Sequence, residues 1–146
     1  MRVTSSSSSS RKEECEENNE FFLERLREAL ADDDDDDEND AGSSRVHTTG
    51  EFFESCKRDM GNTHGRKGGG EQNMEAVVRV KTTREVENIV RACAEFKKPV
   101  VTRGAGTGLE GGCVAYFGGI VLDVSLLKTM SMDEMQCTAT VGAGVL

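Results

Sequence analysis

A strand, a helix and a second strand follow one another closely between residues 76 and 101, and this order leaves few possible folds. Three valines within residues 77–80 form a β-branched run typical of a buried strand. Thr82 and Glu85 match a T-x-x-E capping box, in which the two side chains satisfy main-chain amides at a helix start. The sequence therefore predicts a strand over 77–80 and a helix that begins directly after it.

The predicted helix carries its apolar residues on one stripe and ends before the only proline, Pro99. Val100 and Val101 then begin a second strand. A strand, helix and strand with short joints form a βαβ unit, whose strands are parallel and whose crossover is right-handed. We therefore predict an α+β fold with an α/β-like βαβ core. The stripe comprises Val86, Ile89, Val90 and Cys93, and further strand candidates are residues 120–124 and 139–141.

Five glycines lie among the ten residues from Arg103 to Gly112, directly after the second strand. Because glycine has no Cβ, the main-chain N–H groups of such a loop can converge on one ligand and favour phosphate oxygens. The position agrees with this interpretation, since ligands of α/β sheets gather at the carboxyl ends of the strands. The loop predicts a phosphate site, and a glycine-rich turn that binds nothing is the alternative.

Two phosphate-binding motifs fit this loop poorly. No Lys-Ser or Lys-Thr pair follows the glycines, which excludes a Walker A motif. Residues 106–111 match the dinucleotide fingerprint G-x-G-x-x-G, but Gly112, Gly118 and Gly119 oppose the helix that has to begin inside it. Leu126 also stands where an acidic residue is expected about 20 positions further on. We therefore expect a phosphate loop without a helix.

The net charge of −9 is confined to the first 45 residues, which hold 15 acidic and 6 basic side chains. The remainder is electrically balanced, so the chain lacks the basic excess that a nucleic-acid partner requires. No apolar run approaches the roughly 20 residues of a transmembrane helix. These observations exclude nucleic-acid binding as the main function and predict no membrane-spanning segment.

Composition divides the chain into four parts. Residues 1–19 are rich in Ser and Glu, and we predict that they are disordered. Residues 20–45 predict an amphipathic helix followed by an acidic loop, whose Asp run lacks the alternating spacing of a calcium loop. Residues 46–75 are polar and glycine-rich, which is typical of a linker. Residues 76–146 carry the folded, patterned part.

The cysteines and histidines predict neither a disulfide framework nor a metal site. The cysteine number is odd, the gaps are wide and no C-x-x-C pair occurs. The two histidines, His47 and His64, have no partner at ligand spacing. We therefore expect a reducing compartment, the cytosol or the mitochondrial matrix. The cysteines are Cys15, Cys56, Cys93, Cys113 and Cys137.

Three segments match a known family in order and spacing: residues 99–112, 118–125 and 139–144. On these segments, residues 77–146 resemble the first part of the flavin-binding domain of FAD-linked oxidases, the vanillyl-alcohol-oxidase-like (PCMH-type) family. The segment 99–112 is most similar to the branch that contains D-lactate dehydrogenase (cytochrome) and the glycolate oxidase flavin subunit. The resemblance covers about half of the chain.

The resemblance implies that the glycine loop wraps the pyrophosphate of FAD. The donors would be the main-chain amides of residues 104–108 and the Thr107 hydroxyl. Covalent members of the family carry a His in this loop, and its absence here implies non-covalent FAD. A phosphate contact and a salt bridge stay open for Arg103, as do a cofactor contact and strand-end capping for Asp123. The implied cofactor-binding residues are Arg103, Gly104, Ala105, Gly106, Thr107, Gly108, Leu109, Gly111 and Gly112.

The resemblance also implies that the intact protein is an FAD-dependent oxidoreductase. It would oxidise a 2-hydroxy acid, D-lactate foremost, and pass electrons to a cytochrome or quinone, in mitochondria or alternatively in the cytoplasm. The family's catalytic His and metal ligands lie on a later cap domain, so we assign no catalytic or metal residue to this fragment and expect no turnover from it. The alternatives are a non-catalytic flavin- or nucleotide-binding module, and an acidic interaction protein that acts through residues 1–45.

Overall fold

The computed structural model describes residues 7–31, 42–61 and 74–146. Two sheets and three α-helices form within these residues. Their bounds in chain order are α1 Ser7–Ala31, a 3-10 helix Gly42–Arg45, β1 Val46–His47, α2 Glu51–Cys56, β2 Met74–Arg79, α3 Thr83–Glu95, β3 Val100–Arg103, β4 Gly119–Asp123, β5 Met130–Asp133 and β6 Thr138–Val141.

The larger sheet has the strand order β1-β2-β4-β3. Strand β4 pairs in parallel with β2 and with β3, so β2 and β3 are parallel to each other, as predicted. They are not neighbours, because β4 occupies the position between them. Strand β1 pairs antiparallel with β2 at one edge. The glycine-rich loop joins β3 at the other edge to the central strand β4.

The alternation of side chains along the strands divides the core into two layers. One face of the sheet packs against α1 and α3, and the other packs against α2. In the first layer Phe22 of α1 contacts Phe96, with ring centroids 5.2 Å apart. The first layer includes Phe22, Leu26, Val46, Val78, Ile89, Cys93, Ile120 and Leu122; the second includes Phe53, Cys56, Met74, Val77, Ala115 and Val121.

The capping box at the start of α3 is confirmed. The Thr82 hydroxyl accepts from the Glu85 N–H at 3.1 Å, and the Glu85 carboxylate accepts from the Thr82 N–H at 3.4 Å. Ile89 and Cys93 are buried as the apolar stripe predicted, whereas Val90 is exposed. Ala92 is buried instead.

A Schellman turn ends α3 just before the proline. The Lys98 N–H donates to the Cys93 carbonyl at 2.8 Å, and the Lys97 N–H donates to the Ala94 carbonyl at 3.2 Å. Lys97 takes the left-handed conformation, with φ of 54°. The predicted end of the helix is therefore confirmed, and the turn is made by a lysine where glycine is usual.

Two boundaries differ from the sequence-based predictions. Helix α1 begins at Ser7, so residues 7–19, predicted to be disordered, are helical. Glu, Lys and Arg are good helix formers, and extending a helix that is packed beyond Glu20 costs little. Residues 46–75, predicted to be a linker, contain β1, α2 and the first residues of β2. Phe53 and Cys56 bury this segment against the sheet. Residues 1–6 and the Asp run lie outside the described residues.

A separate hairpin of β5 and β6 follows the main sheet. The strand β6 was predicted and β5 was not. Met130 pairs with Val141 and Met132 with Ala139, which places four apolar residues on one face of the hairpin. All eight strand residues are exposed. Among the described helices, none has the length and apolar character needed to cross a bilayer.

Candidate functional site

The glycine-rich loop, residues 104–118, leaves the carboxyl end of β3 and contains no helix, as predicted. It lines a cleft of about 430 Å³, a volume within the range of small-molecule sites. The cleft therefore lies where a parallel sheet usually presents its ligand. The lining residues are Gly104, Ala105, Gly106, Thr107, Gly108, Leu109, Glu110, Gly112 and Cys113.

Five consecutive main-chain N–H groups at this cleft are free of protein partners. Within the part of the chain that the structure describes, the amides of residues 104–108 donate to no protein acceptor. Such groups require water or a ligand, because an unsatisfied amide away from water is costly. Converging amides suit an anion with several oxygens. These are the amides for which the resemblance implies a role as donors to the pyrophosphate, and that role stays a prediction.

Three glycines of the loop leave open space where a side chain would stand. A Cβ on Gly112 would meet no atom within 4 Å. A Cβ on Gly104 or Gly108 would make only ordinary contact, at 3.9 Å and 3.8 Å. None of the three has the positive φ that favours glycine. The fold itself does not require glycine at these positions, and the open space beside Gly112 is available to a ligand that approaches the backbone.

Gly106 and Gly111 are glycines for a different reason. Their φ angles are 70° and 78°, which L side chains rarely adopt. A Cβ on Gly106 would also collide with the Arg103 guanidinium, and one on Gly111 would collide with the Tyr116 ring. These two positions shape the loop.

A four-residue segment, Arg58 to Gly61, is hydrogen-bonded to the loop; we call it the strap. The Met60 N–H donates to the Gly106 carbonyl at 3.2 Å, and the Gly61 N–H donates to the Gly108 carbonyl at 3.3 Å. The buried Asp59 carboxylate accepts from the Gly111 N–H at 2.6 Å. None of the four strap residues lines the cleft.

Arg103 lies behind the loop. Its guanidinium donates to the Arg58 carbonyl at 2.7 Å and to Cys113 Sγ at 3.4 Å. It does not line the cleft, and no salt bridge to it occurs among the described residues. Of the two roles left open for Arg103, the salt bridge is not formed among the described residues, and the phosphate contact stays a prediction. The side chain ties the strap to the loop.

Asp123 caps the end of β4. Its Oδ1 accepts from the Ser125 N–H at 2.8 Å, and its Oδ2 lies 3.4 Å from Arg79 Nε. In register, Arg79, Asp123 and Arg103 form a row across the ends of three parallel strands. Of the two roles left open for Asp123, the structure shows strand-end capping.

Cys56 lies on the same face of the sheet as this row. Burial raises the pKa of the Cys56 thiol, and the nearby Arg103 guanidinium opposes that rise. A buried thiol with a raised pKa stays protonated at neutral pH and is a poor nucleophile. No group of three or more His, Cys, Asp or Glu side chains within the described residues could hold a metal ion. His64 lies outside those residues.

Seven of the nine residues singled out from the sequence line the cleft, and Arg103 and Gly111 do not. The Gly111 amide is already engaged by Asp59. Sequence reasoning missed Glu110 and Cys113 in the lining, and it missed the strap. Asp59 followed by Gly61 was a weak turn signal within a segment interpreted as a linker.

The parallel sheet, with free amides in a glycine-rich loop at a strand end, defines a nucleotide-binding domain of the α/β type. Residues 74–146 match the FAD binding domain family over half of the chain, and the chain belongs to this family. FAD is therefore the cofactor of the domain, and the resemblance found in the sequence is confirmed.

Several curated proteins are similar to the chain. It is 41% identical over 76 residues to glycolate oxidase subunit GlcD of Bacillus subtilis, which covers 49% of this chain and 16% of that protein. It is 35% identical over 78 residues to D-lactate dehydrogenase of Anaerostipes hadrus, covering 53% and 16%. The mitochondrial D-lactate dehydrogenase (cytochrome) of Arabidopsis thaliana is 33% identical over 75 residues, covering 49% and 13%. The chain thus spans less than one fifth of these relatives.

Solved structures show the same fold. A crystal structure of p-cresol methylhydroxylase with substrate bound matches with a TM-score of 0.66 and 20% identity, over 88% of this chain and 23% of that one. The structure of a berberine-bridge-enzyme-like protein from Arabidopsis thaliana matches with a TM-score of 0.58 and 18% identity, over 84% and 22%. At such identities the likeness shows the fold alone. It confirms the predicted mixed α/β domain of the PCMH type.

Proposed function

We propose that the chain binds FAD non-covalently by its pyrophosphate, on the free amides of residues 104–108. In the intact protein this domain serves the oxidation of a 2-hydroxy acid, with D-lactate as the foremost substrate and a cytochrome or quinone as the acceptor. The names of the relatives support this substrate class, since they include glycolate oxidase and D-lactate dehydrogenase.

The five free amides carry this proposal. A pyrophosphate bridge is rich in oxygen acceptors, and main-chain donors can bind it without a neighbouring cation. The open space beside Gly112, and the absence of close contacts at Gly104, let the phosphates approach the backbone closely. The Thr107 hydroxyl supplies a further donor at the cleft. Covalent members of the family attach the flavin to a His in this loop, and the absence of a His here supports non-covalent binding.

Bound FAD supplies the redox chemistry, by accepting a hydride from the substrate and passing the electrons on. The residues of this chain hold and orient the cofactor. We assign no catalytic residue among them, so the 146-residue chain is expected to bind FAD without turning over a 2-hydroxy acid. Two mitochondrial relatives lead us to place the intact protein in mitochondria, with the cytoplasm as the alternative.

Ligand titration of the purified chain tests the binding site. FAD and ADP should compete for one site, because both contain a pyrophosphate, whereas riboflavin should not displace either of them. Flavin fluorescence follows binding directly. Equal binding of riboflavin would contradict a site built on the pyrophosphate, and binding of none of the three would contradict the proposed function.

Alkylation of cysteines locates the site independently. Cys113 lines the cleft, whereas Cys137 is exposed on the β5–β6 hairpin. Saturating FAD should slow the reaction of iodoacetamide with Cys113 and leave the rate at Cys137 unchanged, as read by peptide mass spectrometry. An unchanged rate at Cys113 under saturating FAD would place the cofactor elsewhere.

The substrate class is tested on the intact protein. With a dye, cytochrome or quinone as acceptor, D-lactate should be oxidised faster than glycolate or D-2-hydroxyglutarate. The isolated chain is the control and should show no steady turnover. Sustained oxidation by the isolated chain would show that catalytic groups lie within residues 1–146.

A further inference from the structure

We infer that the strap, residues 58–61, is a template that orients the amides of the cofactor loop, and that Asp59 is its positioning residue. This inference rests on the proposed function of the loop. It assigns a role in cofactor binding to a segment that neither lines the cleft nor falls within the matched family region, residues 74–146.

The strap donates hydrogen bonds to two carbonyls of the loop, and the N–H of each of those peptide groups therefore points away from the strap. A trans peptide group is planar, and its C=O and N–H point in opposite directions. The Gly106 carbonyl accepts from the Met60 N–H, so the N–H of Thr107 points away from the strap. In the same way, the bond from Gly61 to the Gly108 carbonyl turns the N–H of Leu109 away. Both Thr107 and Leu109 line the cleft.

Asp59 fixes the middle of the loop, at Gly111. Its buried carboxylate accepts from the Gly111 N–H at 2.6 Å, a short bond of the charge-assisted kind. The same carboxylate lies close to Gly108, since a Cβ built there would be 3.8 Å from Oδ2. Two donors and one acceptor of the strap therefore hold the loop at three points, Gly106, Gly108 and Gly111.

The strap fits closely against the loop. A Cβ on Gly61 would collide with the main chain of Leu109, so even a methyl group there separates the two segments. Arg103 adds a fourth tie, because its guanidinium donates to the Arg58 carbonyl. A loop rich in glycine has many accessible conformations, and these contacts favour the one in which the Thr107 and Leu109 amides point away from the strap.

Variants of Asp59 test the inference on the 146-residue chain. Asp59→Ala removes the acceptor for Gly111 and should weaken FAD binding about tenfold or more. Asp59→Asn keeps an acceptor oxygen and should restore the affinity to within about threefold of the wild type. Asp133→Ala is the matched control, because Asp133 also accepts from a main-chain amide, that of Gln136 at 3.0 Å, but on the distant hairpin. It should leave FAD binding unchanged.

Hydrogen exchange without FAD separates positioning from general stability. Asp59→Ala should speed exchange at the Met60 and Gly61 amides, while exchange in the β2–β4 ladder stays slow. Gly61→Ala disturbs the strap without removing a charge, and it should reproduce both the faster exchange and the weaker binding. If Asp59→Ala does not fold, Gly61→Ala tests the same inference.

The outcomes are distinct. A wild-type chain that binds neither FAD nor ADP contradicts the proposed function before any variant is compared. Normal FAD affinity in Asp59→Ala or Gly61→Ala, with faster exchange of the strap, overturns the inference alone. Unchanged exchange at Met60 and Gly61 in Asp59→Ala overturns it as well, as does Asp59→Asn binding FAD as weakly as Asp59→Ala.

Discussion

At the scale of single residues, the loop contains glycines of two kinds. Gly106 and Gly111 are required by backbone conformation, since both have positive φ and both are crowded where a Cβ would stand. Gly104, Gly108 and Gly112 meet no such requirement. The sequence does not distinguish these five glycines from one another. Only the structure separates those that shape the loop from those that no backbone conformation requires.

Substitution by alanine should affect the two kinds of glycine differently. Gly112→Ala should leave the free energy of unfolding within about 0.5 kcal/mol of the wild type, because the added methyl group meets open space. It should nevertheless weaken FAD binding, since the methyl group takes space that the phosphates need. Gly106→Ala should destabilise the fold by at least about 1–2 kcal/mol, the cost of a left-handed L residue. Urea denaturation and flavin titration measure the two quantities.

Reversed results would contradict this division. A Gly112→Ala chain that unfolds more easily and binds FAD normally would show that the cleft is not the cofactor site. Gly104→Ala is a second test of the same kind, because its Cβ would be 3.9 Å from the nearest carbonyl oxygen.

At Lys97 the opposite change, from a residue with a Cβ to glycine, can be tested. It has a φ of 54° in the turn that ends α3, and its side chain is exposed. Lys97→Gly should stabilise the chain by about 1 kcal/mol, because glycine adopts this conformation without the Cβ penalty. Lys98→Gly, one position further on, is the control and should not stabilise. A lower midpoint of urea denaturation for Lys97→Gly would contradict the expectation.

At the scale of secondary-structure elements, a buried ion pair joins the 3-10 helix to the start of α3. Arg45 Nη1 lies 2.6 Å from Glu85 Oε1, and both side chains are buried. The Arg45 guanidinium also donates to the Leu30 carbonyl near the end of α1, at 3.4 Å. One arginine thus connects three elements.

Arg45→Met should destabilise the chain by about 3–5 kcal/mol, because it leaves the Glu85 carboxylate buried without its partner. Arg25→Met is the control. Arg25 pairs with Glu95 at 3.6 Å while both side chains are partly exposed, and such pairs contribute about 0–1 kcal/mol. Urea denaturation of both variants measures the free energies of unfolding. Equal decreases would show that the buried Arg45 pair contributes no more to stability than the partly exposed Arg25 pair.

The elements that could be predicted from the sequence are those with local signals. The capping box, the apolar stripe and the proline place α3 within a few residues, and the valine runs place β2 and β3. The strap gave no comparable signal, because its contacts reach 45 to 52 residues along the chain and its four residues show no periodic pattern. The insertion of β4 between β2 and β3 is likewise a non-local choice. Arg45 and Glu85 gave no sign of burial, since each is a charged residue of ordinary appearance.

At the scale of the whole molecule, stability should depend on pH through Cys93. Burial raises the pKa of this thiol to about 12 from an ordinary value of 9.0; the Glu75 carboxylate adds to the rise and Lys98 opposes it. From pH 9 to 12 the unfolded thiol loses its proton while the folded one keeps it. The folded chain then binds more protons, so the free energy of unfolding falls as pH rises through this range.

Comparison of the wild type with Cys93→Ala isolates this contribution. The variant loses packing at neutral pH. Above about pH 9, however, its free energy of unfolding should fall less steeply with pH, and the difference in slope should correspond to at most one bound proton. Urea midpoints measured from about pH 8 to 11 give both slopes. Parallel curves would mean that the thiol ionises alike in the folded and unfolded chains.

The bond between Asp59 and Gly111 spans 52 residues, and this has a consequence for biogenesis. The ribosome synthesises α2 and the strap before it adds Gly111 and Gly112. The loop can therefore form its contacts with the strap only after residues 106–111 have been added. A ribosome-bound chain that has not yet reached Gly111 lacks the third anchor, so we expect flavin binding at the loop only after residue 111 has been synthesised.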